Sequence, residues 1–167
     1  MDELPTEAEW RQWLDGHASR FLLFARQKIC SEADAQDLVQ EAVVESIQRL
    51  RGRQLPAPAL VFATIHRRAI DLARREARRT GRELLATGVV AEPWFDPSVE
   101  ERERAKLIQN AMEKLPEDYR DVIVLKIWGD LTFSEIADSL GIPANTAASR
   151  YRYALEGLRK MTKEVLA

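Results

Sequence analysis

Residues able to do bond chemistry are few in this sequence and scattered. The two histidines, His17 and His66, fall in separate segments, and there is no Gly-rich phosphate loop, no HExxH and no CxxC. No catalytic centre, metal site or cofactor is therefore expected. The single cysteine, Cys30, cannot close an internal disulfide and is expected to be a small buried apolar side chain in a reducing compartment. What remains is charge. The formal net charge is only -2, yet it is unevenly spread. From Ser31 to Gln48 there are five acids (Glu32, Asp34, Asp37, Glu41, Glu45) and no Lys or Arg to pair with them. From Arg67 to Arg82 seven arginines face Asp71 and Glu76, a local balance of +5. From Ser149 to Lys163 five bases (Arg150, Arg152, Arg159, Lys160, Lys163) face only Glu156, a balance of +4. One acidic and two basic segments suit a molecule that meets nucleic acid on some faces and a protein on another.

The elements that carry these segments read as helices. The chain of 167 residues is long enough for one domain or two small ones, and 46% apolar with 31% charged residues is the balance of a globular protein. No run approaches a membrane span, and the acidic start lacks a signal-peptide core, so a cytoplasmic protein without membrane insertion is expected. Trp10, Trp13, Leu14, His17, Phe21, Phe24 and Ile29 recur at helical spacing. Ser31 with Asp34 opens a second helix, with Leu38, Val39, Ala42, Val43, Ile47 and Leu50 inward. After a loop from Arg51 to Pro58, a third begins near Ala59 with Phe62, Ile65, Ala69 and Leu72 or Ala73 inward. The second half opens on Ser98 with Glu101, turns Leu107, Ile108, Ala111, Met112 and Leu115 inward, and restarts at Pro116 with Tyr119, Val122, Ile123 and Trp128 inward and Gly129 as the C-cap. The expected fold is all-α: one small helical domain over residues 1–80, a flexible linker over 81–97, and a second over 98–167. Extended, such a linker spans about 60 Å, comparable to roughly 17 base pairs of duplex at about 3.4 Å each. Trp94-Phe95 within it is either a partner contact or a docking point on a neighbouring domain.

The sharpest local signal runs from Leu131 to Arg150. Thr132 and Glu135 cap a short helix from Phe133 to Leu140, Gly141-Ile142-Pro143 turns the chain, and a long helix follows from about Asn145. Ala137 is small enough for a close crossing, with Ile136, Leu140 and Ile142 as the wedge; this is a helix-turn-helix. Its second helix turns Ala147, Ala154, Leu158 and Met161 inward. Asn145, Thr146, Ser149, Arg150, Arg152 and Tyr153 face out, where they can meet base edges and phosphates in a major groove. Thr146 and Arg150 are assigned mainly to positioning, and Ser149, Arg152 and Tyr153 mainly to reading.

At these residues the chain resembles the bacterial sigma factors, in particular the small extracytoplasmic-function type. Leu115-Pro-Glu-Asp-Tyr-Arg120, then Leu131-Thr-Phe-Ser-Glu135-Ile-Ala137, Gly141-Ile-Pro143, Thr146 and Ser149-Arg150 resemble sigma region 4, which reads the minus-35 promoter element and docks on the polymerase flap. Ala33-Asp-Ala-Gln-Asp37-Leu-Val-Gln-Glu41 resembles region 2.2, implying Asp37, Gln40 and Glu41 as the contact with core RNA polymerase. Phe62 to Asp71 and the arginines that follow resemble regions 2.3 and 2.4, which melt and read the minus-10 element. That implies Arg67, Arg68, Arg74, Arg75 and Arg78 on the DNA backbone and the Arg51 to Pro58 loop around a flipped base, whose extrusion costs a few kcal/mol that a pocket and basic surface offset. Three positions depart from the family pattern: Leu60 where Trp is common, His66-Arg67-Arg68 where an Asn is common, and Ala148 where a base often precedes Ser-Arg. The implied partners are core RNA polymerase and promoter DNA, with an anti-sigma factor as a frequent further one. A stand-alone DNA-binding regulator would need a sensor or dimerisation domain that residues 1–80 do not resemble. An anti-sigma antagonist would leave both basic helices unexplained.

Overall fold

The computed structural model describes residues 3–80 and 99–166. The linker expected over 81–97, with Trp94-Phe95, Arg82 and the Ser98 cap, lies outside the described residues. The described chain is all-α, with seven helices: α1 (Glu7–Lys28), α2 (Glu32–Arg49), α3 (Pro58–Thr80), α4 (Val99–Lys114), α5 (Glu117–Ile127), α6 (Phe133–Leu140) and α7 (Ala144–Leu166). They divide into two compact units, one built on α1–α3 and the other on α4, α5, α7 and α6 through Ala137.

In the first unit α1, α2 and α3 pack pairwise against one another. Helix α1 starts earlier than its aromatic stripe, because Thr6 and Glu9 form a reciprocal capping box: the Thr6 amide donates to Glu9 Oε2 at 2.7 Å and the Glu9 amide to Thr6 Oγ1 at 3.3 Å. Phe62 of α3 stands edge-on to Phe21 and Phe24 of α1, with ring centroids 5.0 and 5.6 Å apart. All three are fully buried, joined by Leu38, Ala42, Val61, Ile65 and Ala69. Trp13 adds a tether, its indole N–H donating to the Pro56 carbonyl at 3.0 Å and tying the α2–α3 loop to α1. That loop leaves α2 through two left-handed residues, Arg51 and Gly52, and the Gly52 amide closes onto the Ile47 carbonyl at 3.0 Å.

The expected inward stripes exceed the real core, at one side on α1 and at the C-terminal end on α3. Leu14 of α1 and Leu72 of α3 are 41% and 37% exposed, and Ala73 is exposed with it. Burial on α3 stops at Ala69, and every residue from Ile70 to Arg79 faces solvent. Periodicity sets which face is apolar; it does not set where the partner helix ends. Cys30 is exposed rather than buried, since it falls in the short turn between α1 and α2.

In the second unit α7 packs on α5 and α4, around Ala111, Met112, Leu115, Val122, Ile123, Leu125, Ile136, Ala147 and Ala154. Ile108 at 48% and Trp128 at 39% exposure lie outside this core, contrary to their expected places. Trp128 is itself the C-cap of α5, and Gly129 follows one residue beyond. A Cβ on Gly129 would sit 2.6 Å from the Leu125 carbonyl oxygen, so this turn admits only glycine. Pro116 is the N-cap of α5, just ahead of the first helical turn. One side chain missing from the sequence reading closes the end of α4: Arg120 donates to the carbonyls of Met112, Glu113 and Leu115 at 3.1, 3.2 and 3.0 Å.

Candidate functional site

The helix-turn-helix forms from the local signals that announce it. The Thr132 amide donates to Glu135 Oε2 at 2.8 Å and the Glu135 amide to Thr132 Oγ1 at 3.2 Å, so α6 begins with both orphan donors satisfied. Gly141 adopts φ +68, and the Ile142 amide bonds the Ala137 carbonyl at 3.0 Å, ending α6 sharply. Ala137 of α6 and Ala147 of α7 are both buried. Phe133 of α6 meets Tyr151 of α7 at 5.5 Å between ring centroids, and the Lys126 ammonium lies 4.5 Å from the Phe133 ring.

With α7 seated this way, its outward residues assemble as the spacing implies. Asn145, Ser149 and Arg152 recur at three- and four-residue intervals on one face, flanked by Thr146, Arg150 and Tyr153. Asn145, Arg152 and Tyr153 are exposed; Thr146, Ser149 and Arg150 are half-buried. Five of the six (all but Arg152) line a shallow concavity of about 340 Å³. The sixth lining residue is Tyr119 of α5, expected in the core but half-buried at the edge of this surface. The Arg152 guanidinium stacks on its neighbour's ring, 5.2 Å from the Tyr153 centroid, which holds both side chains on the open face. Arg150 lies 3.7 Å from Asp118 of α5, an outer carboxylate that orients its guanidinium.

The first unit places its candidate residues differently. Asp37, Gln40 and Glu41 share one exposed face of α2. Arg74, Arg75 and Arg78 stand on the solvent-exposed outer turns of α3. Arg67 and Arg68, further back, are engaged with α2. Arg68 donates through Nε to Glu45 Oε2 at 2.7 Å and through a terminal nitrogen to Glu41 Oε2 at 2.8 Å. Arg67 also bonds Glu45, and Arg49 reaches the same carboxylate at 3.1 Å. Burial pushes the Glu45 carboxyl up, but the hydrogen bonds from Arg68 and Arg67 outweigh it and hold the group below its ordinary value. The acidic segment is therefore paired across helices. Two of the three partners of Glu45 lie on another helix, 22 and 23 residues away, and the third, Arg49, falls just past the acidic run, so the run alone does not show the hub.

Among the described residues no cluster of three or more His, Cys, Asp or Glu side chains is placed to hold a metal ion, and no helix is long and apolar enough to cross a membrane. A helix-turn-helix with a polar, basic recognition face defines a DNA-binding protein.

Comparison with known proteins narrows this class. Residues 9–79 match the family model for sigma-70 region 2, and residues 105–158 match that for sigma-70 region 4. An RNA polymerase sigma-E factor of Streptomyces antibioticus is 30% identical over 127 residues, covering 76% of this chain and 69% of its own. Another, from Streptomyces avermitilis, is 28% identical over 152 residues, covering 91% of this chain and 84% of its own. The solved sigma factor RpoE, in complex with the anti-sigma factor NepR from Bartonella quintana, shares the fold at a TM-score of 0.70, with 17% identity, covering 93% of this chain and 97% of that one. The chain belongs to the sigma-70 family, as a sigma factor of the extracytoplasmic-function type. It binds core RNA polymerase and directs promoter-specific initiation of transcription.

Proposed function

We propose that each unit of this sigma factor serves one promoter element, with residues 1–80 at the minus-10 element and on core polymerase, and residues 98–167 at the minus-35 element across a linker over 81–97. Asp37, Gln40 and Glu41 form the polymerase contact, and Arg67, Arg68, Arg74, Arg75 and Arg78 bind the minus-10 region. Asn145, Thr146, Ser149, Arg150, Arg152 and Tyr153 bind the minus-35 element. The supporting observation is the concavity at the start of α7, where polar side chains of the recognition helix converge on one open surface. Thr146 and Arg150 position the helix, the latter oriented by Asp118, while Ser149, Arg152 and Tyr153 meet base edges. Initiation chemistry belongs to the polymerase, and this chain acts as a non-catalytic specificity subunit in the cytoplasm. An anti-sigma factor is a further partner, as for the RpoE fold relative.

Two experiments test these assignments. Asp37→Arg with Glu41→Arg abolishes capture of core polymerase in a pull-down; capture equal to wild type refutes the docking face. Arg150→Ala and Arg152→Ala each weaken promoter binding by the holoenzyme, by about 1 to 3 kcal/mol where the lost group reads a base. Unchanged minus-35 footprints in both variants overturn the recognition face.

A further inference from the structure

Two of the five arginines assigned to minus-10 DNA are already occupied, and one of their partners belongs to the polymerase face. Arg68 bridges Glu45 and Glu41, while Arg67 shares Glu45 with Arg68 and Arg49. A guanidinium is a planar fork, so Arg68 cannot keep both carboxylates and also present that fork squarely to a phosphate. The carboxylates also repel any phosphate that approaches. Arg74, Arg75 and Arg78 are exposed on the outer turns of α3. Glu45 is the most enclosed carboxylate of the group, its side chain 21% exposed against 60% for Glu41. Glu41 is thus the member a partner can reach, and Glu45 the one that anchors.

We infer that Glu45 is a positioning residue that couples the two surfaces of the first unit: with Glu41 it withholds Arg67 and Arg68 from DNA, and a polymerase cation that takes Glu41 removes one of the two carboxylates holding Arg68 and so loosens it toward phosphate. The inference rests on the assignment of Glu41 to the polymerase contact. Linkage makes the effect reciprocal, so DNA that captures Arg68 also strengthens the polymerase contact. Pairs this exposed are individually weak, which sets the coupling at about two- to fivefold in affinity.

The test is Glu45→Gln in the full chain, titrated against a short mixed-sequence duplex over a range of salt concentrations, alone and with core polymerase. Alone, the variant binds about two- to fivefold tighter, and log K against log salt steepens by about 1 to 2 as freed arginines reach phosphates. Adding Arg67→Ala and Arg68→Ala removes the gain. Asp34→Asn makes the same charge change at an exposed α2 position outside the network and leaves the slope unaltered. In the holoenzyme the Glu45→Gln gain shrinks, because Arg68 is already loosened there and Arg67 alone remains to be fully released. A folded Glu45→Gln chain with wild-type affinity and slope overturns the inference, as does a gain equal with and without polymerase. A merely structural Glu45 lowers the melting temperature and leaves the slope where it was. Asp37→Arg, outside the network, separates the two readings. If it leaves core binding intact, the docking assignment fails whatever the slope does. If it abolishes core binding while the Glu45→Gln slope stays flat, only the coupling fails.

Discussion

The two basic surfaces of this molecule are built on opposite plans. In the second unit the recognition face of α7 is open: Asp118 stands 3.7 Å from Arg150, and Arg152 and Tyr153 brace each other. In the first unit the basic run is divided. Its inner arginines are clamped by the α2 carboxylates, and its outer ones stand clear on a helix that outruns its core. An open face is ready to read as soon as DNA arrives. On the proposed assignments a clamped face must first be released, as would suit a surface that works after polymerase docking.

The two plans rest on small cores, and the largest expected effect lies there. Phe62→Ala empties the slot between Phe21 and Phe24 and costs about 3 to 5 kcal/mol of stability, read by chemical denaturation. A loss under 1 kcal/mol would mean that the α1–α3 core is not organised around this ring. Next comes the contrast between the faces themselves. Arg152→Ala costs about 1 to 3 kcal/mol and relaxes preference at one minus-35 position, whereas Arg74→Ala weakens all sequences alike and lowers the salt slope by about 1. Selection of bound promoters from a randomised library distinguishes the two, and a uniform loss for both would erase the contrast. Arg120→Ala removes the side-chain donor of the Met112, Glu113 and Leu115 carbonyls, the first of which keeps the Leu115 amide, and costs about 1 to 3 kcal/mol in a melt.

The smallest effect is that of pH. The Glu45 carboxyl is raised by burial but lowered more by Arg68 and Arg67, so its folded value lies below the unfolded one. Its stabilisation is therefore complete above the ordinary glutamate value of about 4.3 and is lost as pH falls through the folded value. Denaturation midpoints of the wild-type chain should decline more steeply on acidification than those of Glu45→Gln. Parallel curves would show that the ion-pair cluster contributes nothing to folding.

The helix-turn-helix was legible because its signals are local. A capping box three residues wide, a glycine at the turn and a small, buried alanine at position 137 need no knowledge of the rest of the chain. Core positions were legible in the middle of each stripe, as with Phe21, Phe24, Phe62 and Ile65, and illegible at the ends. Leu72, Ile108 and Trp128 continue an apolar pattern past the residues that are covered, and Leu14 lies off the face that buries Trp13. Tyr119 reads as core by period, yet lines the recognition concavity, because α5 offers one edge to that surface. The Glu45 hub was invisible to charge counting for a related reason: runs along a chain do not reveal pairing across helices.

The claim that carries the rest is that this chain selects start sites for a polymerase that cannot find them alone. Run-off transcription with purified core polymerase on a library of genomic fragments tests it directly. Transcripts that are absent with core polymerase alone should appear and start downstream of a shared pair of elements. The same yield and the same starts with and without the chain would contradict it.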